Sequence, residues 1–276
     1  MIDNSSILEV CKPLAHVIDF FCFRGRPINL DQQRPVSVVV NHGYVVGFSH
    51  ERLQPVWAAY QVSAAKRDVD YQRPHLFYDD PRLPKSLQIG AGGFGKVQGR
   101  PYDRGHLVPN FAINTQFGRL AQSETFFMSN ISPQDAKTNR GVWAKLEKLI
   151  INQFAPAWEH IWVMTGPVFG DNPNSLQRSD GRLVPVPDGH FMILVDPQKY
   201  PHHQPKNVNF LALYVPSTAG YSDPGDDLVT SVEWIEQATG LKFFPELSNA
   251  ERQVLAERTS TAMWAYRDLP EKPDID

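Results

Sequence analysis

The residues with the clearest chemical potential fall between positions 103 and 147 of a 276-residue chain. Asp103-Arg104-Gly105-His106 opens the stretch, Ser129-Asn130-Ile131-Ser132-Pro133-Gln134 follows, and Asn139-Arg140-Gly141-Val142-Trp143 leads to Leu146-Glu147. On an extended backbone Arg104 and His106 project to the same face. An arginine there clamps a phosphate beside a general base, and its charge keeps the imidazole neutral and able to accept a proton. Gly105 lets another backbone or a ligand approach closely. Asn139 offers a side-chain amide oxygen, a ligand suited to a hard cation that keeps most of its waters. Glu147 lies eight residues on, about 12 Å along a helix, and helical side chains lean toward the N-terminus. It therefore reaches metal-bound water more readily than the metal. A blander reading stands beside each: a structural histidine, an N-cap asparagine and a solvated glutamate.

Those groups need strands and a helix to hold them. Val36–Val40, the turn Asn41-His42-Gly43 and Tyr44–Phe48 read as a β-hairpin, with Val56–Val62 as a third strand. Residues 64–98 form a long charged, Pro- and Gly-rich loop holding Arg73, Phe77, Asp79 and Asp80, and such loops in compact domains are usually functional. Phe126-Phe127-Met128 reads as a short strand returning beside 103–106. A helix then starts at or near Asn139, with Val142, Leu146, Leu149, Ile150 and Phe154 at helical spacing. Trp143 is expected to anchor it in the core. Residues 161–165, 190–195 and 208–215 are further strands. Ser231 N-caps a helix that stops at Gly240, and Ser248 with Glu251 forms a capping box for a last helix to about Ala265. The pattern predicts an α+β fold: central antiparallel sheet, flanking helices, and one strand–loop–strand–helix unit carrying the chemistry. The expected organisation is an N-terminal segment or arm over 1–30, one domain over 31–265 with its core at 98–155, and a loose acidic tail over 266–276.

Composition bounds the rest. Hydrophobic residues make up 42% of the chain, enough to bury a core without staples. Net charge is −3, so overall charge does not announce a polyanion binder. From Lys96 to Lys148, however, eight bases face four acids, an excess able to steer a polyanion to one face. The two cysteines, Cys11 and Cys22, would lie about 16 Å apart on a continuous helix. Either the helix breaks near Pro13 or both thiols are free. Asp3 stands where a secretory leader has bases, and Lys12, His16 and Asp19 interrupt the apolar run, so no signal peptide is visible. No apolar run reaches membrane-spanning length, and no membrane partner is expected. Localisation is left open. His202-His203 in a Pro-rich loop and the acidic Asp223–Asp227 turn read as surface features.

The order, spacing and types of these residues resemble the DNA/RNA non-specific endonucleases, the endonuclease G-like family with the ββα-metal fold. Arg73 with Phe77, Asp80-Pro81 and Leu83 is similar to the family's upstream arginine segment. Thr165–Phe169, Val184–Pro187 with His190-Phe191, and Glu236–Leu241 with Phe244-Pro245 are similar to its later landmarks. The resemblance covers roughly residues 35–247. It implies that His106 is the general base, that Asn139 is the only direct protein ligand of a Mg2+ ion (Mn2+ can substitute), and that Glu147 hydrogen-bonds the metal's waters. It further implies that Arg104 and Arg73 contact phosphate, with Arg140 beside them, and that Asn130, Asp103 and Gly105 support the site. The implied activity is Mg2+-dependent, sequence-tolerant cleavage of DNA and RNA to 5′-phosphate ends. A catalytically silent nucleic-acid-binding or inhibitory module on the same fold is the alternative. Homodimers and a protein inhibitor are partners the resemblance allows. Residues 6–23 serve either as a dimer arm or as packing on their own domain.

Overall fold

The computed structural model describes residues 12–197 and 208–265; Cys11, the His202-His203 loop and the 266–276 tail lie outside them. Seven antiparallel strands form the central sheet. In chain order they are β2 (Val36–Val40), β3 (Tyr44–Ser49), β4 (Gln54–Ser63), β8 (His160–Val168), β11 (Gly189–Pro197), β12 (Val208–Pro216) and β13 (Val229–Thr230), and in space β13-β12-β11-β8-β4-β3-β2. The expected hairpin is present, with Val36 opposite Ser49 and Val40 opposite Val45.

Alternation along these strands feeds two cores, one on each face. Tyr44, Val46, Tyr60, Val163, Met192 and Leu194 point to one, and Val45, Trp57, Trp162, Phe191, Ile193 and Val195 to the other. Because both faces are covered, the strands read as nearly continuous apolar runs. Helix α1 (Lys12–Phe21) leads into Phe21, Cys22 and Phe23, which pack in the second core near Phe210 and Phe244. Cys22 carries a free thiol that burial, chiefly, pushes up to about 12. β1 (Ile28–Asn29) pairs with β14 (Leu241–Lys242) beside that core.

The first core is covered by a second layer. It contains the three-stranded sheet of β5 (Gly95–Val97), β6 (Arg100–His106) and β7 (Ile131–Asp135), with helices α2 (Asn110–Phe117) and α3 (Arg119–Glu124) between β6 and β7. A helical run follows: α4 (Ala136–Thr138), a wide turn at Asn139–Trp143, α5 (Ala144–Leu149), a second wide turn at Ile150–Phe154 and α6 (Ala155–Trp158). The apolar spacing seen in the sequence is real here, since Val142, Trp143, Leu146, Leu149, Ile150 and Phe154 all lie in the first core. Strands β9 (Ser175–Gln177) and β10 (Leu183–Pro185) form a small hairpin. Helices α7 (Val232–Thr239) and α8 (Asn249–Arg258) carry the expected caps. Ser231 Oγ accepts from Trp234 N–H, Gly240 takes the left-handed conformation at φ 68°, and Ser248 with Glu251 forms a capping box. Among the described residues no helix is long and apolar enough to cross a membrane.

Three expectations need correction. The strand returning beside β6 is Ile131–Asp135, whereas Phe126–Asn130 is a bridge and a tight turn. The cause is Asn130, whose side chain takes backbone partners and bends the chain before the ladder begins. The site helix starts at Ala136 rather than Asn139, because Asp135 caps it by accepting from the N–H groups of Lys137 and Thr138. The last helix stops at Arg258, since Thr259 turns extended and bridges to Phe210.

Candidate active site

Strand β6 and the chain just beyond it hold the imidazole. Arg104 lies opposite Pro133 and His106 opposite Ile131 in the antiparallel ladder. β7 is an edge strand, where a proline is tolerated. A Cβ at Gly105 would lie 2.1 Å from Gln134 Oε1, so a larger residue there requires the Gln134 side chain to move. Past His106, the backbone N–H of Leu107 donates to Asn130 O. Asn130 Oδ1 accepts from Val108 N–H at 3.0 Å, and its Nδ2 donates to the carbonyls of Val108 and Thr125, each at 3.0 Å. The side chain is wholly buried and its polar atoms are engaged by backbone. It therefore fixes where His106 sits.

His106 is 9% exposed, with the rings of Phe77 and Phe126 at 5.6 and 4.9 Å. Its Nε2 is buried without a hydrogen-bond partner. Burial, then the charges of Arg73 and Arg104, lowers its pKa to about 3, so the imidazole is neutral. The same two rings carry the arginines. The Arg104 guanidinium lies 3.9 Å from the Phe77 centroid and donates to Ala91 O at 2.7 Å. The Arg73 guanidinium lies 5.9 Å from Phe126. The long loop thus brings Arg73 to the imidazole, thirty-three residues ahead of it in sequence. The loop's far end is fixed by a buried network, Asp80 with Arg82 and Ser129, whose hydrogen bonds keep the Asp80 carboxyl below its usual range against its burial.

A second group lies where β6 faces the site helix. Asp103 accepts from Asn139 Nδ2 at 2.9 Å and from Arg140 Nε and Nη2 at 2.9 and 2.8 Å. The bond through Nδ2 leaves the Asn139 amide oxygen outside that pair. Arg140 is thereby held in a bidentate pair with Asp103. Glu147 Oε1 accepts from Trp143 Nε1 at 3.1 Å. Burial raises its pKa to about 8, against the smaller opposing effects of that bond, Arg73 and Lys148. The charge of Arg73 lowers the pKa of both His106 and Glu147, in each case less strongly than burial acts.

The donors present fit a hydrated hard cation. Among the described residues no cluster of three or more His, Cys, Asp or Glu could form a protein cage. One oriented amide oxygen and one carboxylate behind it suit an ion that keeps several waters.

Several supports left no local signal in the sequence. Gly141 breaks the helix (φ −99°, ψ −112°) just past Asn139, and a Cβ there would lie 2.2 Å from Gly220 O. That carbonyl accepts from Val142 N–H, while Thr138 Oγ1 donates to Ser217 O and accepts from Gly220 N–H. The turn after β12 thus clamps the Asn139 segment. Arg178, 8% exposed, donates to the carbonyls of Ile89, Gly90, Gly92 and Gly93, and Arg104 takes the one between, Ala91. Two guanidinium groups therefore order the glycine-rich segment beside the site. The only sequence hint was a run of glycines with no apparent partner.

The basic stretch is partly neutralised in place. Arg100 pairs with Asp135, Arg140 with Asp103 and Lys145 with Asp223.

The chain is similar in sequence to known nucleases. The family model described as DNA/RNA non-specific endonuclease matches residues 29–250. "Nuclease EXOG, mitochondrial" from Homo sapiens is 28% identical over 213 residues, covering 74% of this chain and 56% of that protein. "Nuclease 1, mitochondrial" from Schizosaccharomyces pombe is 26% identical over 228 residues, covering 78% and 68%. "Endonuclease G, mitochondrial" from Homo sapiens is 28% identical over 159 residues, covering 54% and 50%. The chain spans a little over half the length of the EXOG relatives it matches.

Proposed function

The chain belongs to the DNA/RNA non-specific endonuclease family, and from that premise we propose that it is a Mg2+-dependent endonuclease hydrolysing phosphodiester bonds in DNA and RNA. The observation that carries the reading is a buried imidazole on β6 with Arg104 and Arg73 at its flanks, and Asn139 of the site helix bonded to Asp103 of the same strand.

Arg104 and Arg73 hold the non-bridging oxygens of the scissile phosphate. His106 takes the proton of the attacking water. Nε2 is sealed in the protein, so the water meets the ring at Nδ1. A base with a pKa near 3 is weak at neutral pH. The bound phosphate offsets the charges of Arg73 and Arg104, which lifts the basicity of His106 when substrate is in place. Asn139 Oδ1 would hold the ion, with Glu147 accepting hydrogen bonds from its waters. When bound, Mg2+, for which Mn2+ can substitute, stabilises charge on the phosphate and on the leaving 3′ oxygen. The raised value of Glu147 belongs to the metal-free protein, since a neighbouring cation favours the carboxylate. Asp103 and Asn130 act by position, the first on Asn139 and the second on His106. In-line attack leaves 5′-phosphate ends. Phosphate contacts make sequence preference weak and binding strongly salt-dependent.

The test is incubation of the protein with supercoiled plasmid and with a structured RNA, with Mg2+ and with excess chelator. Cleavage of both, abolished by chelator, is expected. Binding without cleavage of either would favour the silent nucleic-acid-binding module instead.

A further inference from the structure

A cavity of about 620 Å3 adjoins the site on the side of Arg73. Its walls include Tyr71, Gln72, Arg73, His75, Arg119 and Gln122. The volume falls in the range of sites that hold small organic molecules, about 300–1,000 Å3, enough for a nucleotide unit. The cavity is built from two elements tied to each other. Gln122 Nε2, on α3, donates to Gln72 O at 3.1 Å, and Arg119 Nη2 donates to Gln72 Oε1 at 3.3 Å. Tyr71 is fixed from behind by an edge-to-face contact with Phe111 at 5.1 Å and by its hydroxyl on Asn110 Oδ1.

The electrostatics of the wall are one-sided. Among the described residues no carboxylate lines the cavity, while Arg73, Arg119 and His75 do. Other arginines near the site are committed to acids, Arg140 to Asp103, Arg100 to Asp135 and Arg82 to Asp80. Arg73 and Arg119 have no ion-pair partner among the described residues. Both are exposed, and Arg67 stands next in line, 3.2 Å from the position a Cβ on Gly118 would occupy. An exposed arginine gains little from solvent alone, and a row of unpaired ones beside a phosphate site forms a favourable path for a second phosphate.

We infer that this cavity is a subsite for the nucleotide flanking the scissile phosphate, with Arg119 contacting the next backbone phosphate and the exposed Gln72, braced from behind by the buried Gln122, facing its sugar or base edge. Arg73 is the hinge between the two phosphates, since it serves the imidazole on one side and the cavity on the other. The subsite contacts backbone and shape, so it raises affinity for polymer without imposing sequence. The inference rests on the proposed nuclease activity.

The experiment compares Arg119→Ala and Arg119→Glu with the parent protein on two substrates in Mg2+. One is a DNA duplex of several helical turns, and the other is bis(p-nitrophenyl) phosphate, which carries no second phosphate for Arg119 to contact. On duplex, KM is expected to rise about fivefold for alanine and further for glutamate, with kcat retained. The slope of log binding against log salt should fall by about one unit for alanine. Turnover of the small diester should change less than twofold. Unchanged duplex KM and salt slope in both variants would overturn the subsite. Equal losses on both substrates would also overturn it, because they would place the damage at the reacting centre. If the parent protein cleaves neither substrate, the nuclease reading itself fails, an outcome distinct from both.

Discussion

Asp103 should control how tightly the metal is held without taking part in the reaction. Its carboxylate makes three bonds, one to Asn139 Nδ2 at 2.9 Å and two to Arg140 at 2.8–2.9 Å. The Arg140 side chain is 65% exposed, so that ion pair contributes little to stability, roughly 0–1 kcal/mol. The Asn139 bond matters differently, since in the proposed metal site it decides which amide atom would face the ion and limits rotation of the side chain. Losing such an orienting partner typically costs 10- to 100-fold in metal affinity or activity, about 1.4–2.8 kcal/mol. In Asp103→Ala, half-maximal cleavage should therefore require about 10- to 100-fold more Mg2+, while the folding midpoint moves little. Asp103→Asn keeps an oxygen that can accept from Asn139 and should fall between the two. The assay is initial rate on plasmid DNA against Mg2+ concentration, beside denaturant unfolding of each variant. An unchanged Mg2+ requirement with a lower maximal rate would refute the orienting role.

Other outcomes follow from the same geometry. In metal-free protein the folded state holds the Glu147 proton up to about pH 8, whereas the unfolded chain releases it near 4.5. A group raised on folding loses its stabilising contribution as pH rises, so between pH 6.5 and 8, above the histidine range, stability should fall with a slope of at most about 1.4 kcal/mol per pH unit. Urea midpoints taken in chelator should show that decline in the parent protein, and Glu147→Gln should flatten it; identical profiles would contradict the assignment. Gly141→Ala places a Cβ 2.2 Å from Gly220 O and disturbs the bond from Val142 N–H to that carbonyl. It should lower stability by about 1–3 kcal/mol in denaturant unfolding and raise the Mg2+ requirement, and parent-like values for both would show that the break at Gly141 is incidental.

The parts of the fold legible in the sequence were those with local causes. Ser231, Gly240, Ser248 and Glu251 announce helix ends because caps act within a turn. Val36–Ser49 announces a hairpin because two Val-rich runs and the Gly-containing turn between them lie side by side. β7 was misplaced by a few residues for the opposite reason. Its residues Ser132, Pro133, Gln134 and Asp135 are polar or ring-constrained, yet all are buried. Their partners are distant in sequence, Gln54 and His190 for Ser132 and Arg100 for Asp135. The chemistry-bearing residues were legible as types and spacings, and the turn from Ser217 to Gly220 that clamps Asn139 was not. Nor was Arg178, whose partners are backbone carbonyls that leave no trace in residue identity. The ring of Phe126 was read as part of a strand, whereas it lies against His106 and Arg73. Aromatic pairs in sequence do not say which side chain they will face.

In the proposed reaction a neutral His106, held between Phe77 and Phe126, activates water at a phosphate clamped by Arg104 and Arg73. Single-turnover cleavage of DNA by His106→Ala, at saturating Mg2+, tests it most directly. The account predicts a loss of about 10²- to 10⁴-fold, with the circular dichroism spectrum and the affinity for uncleaved duplex in Ca2+ both preserved. Cleavage at the parent rate by a variant that binds DNA normally would contradict it.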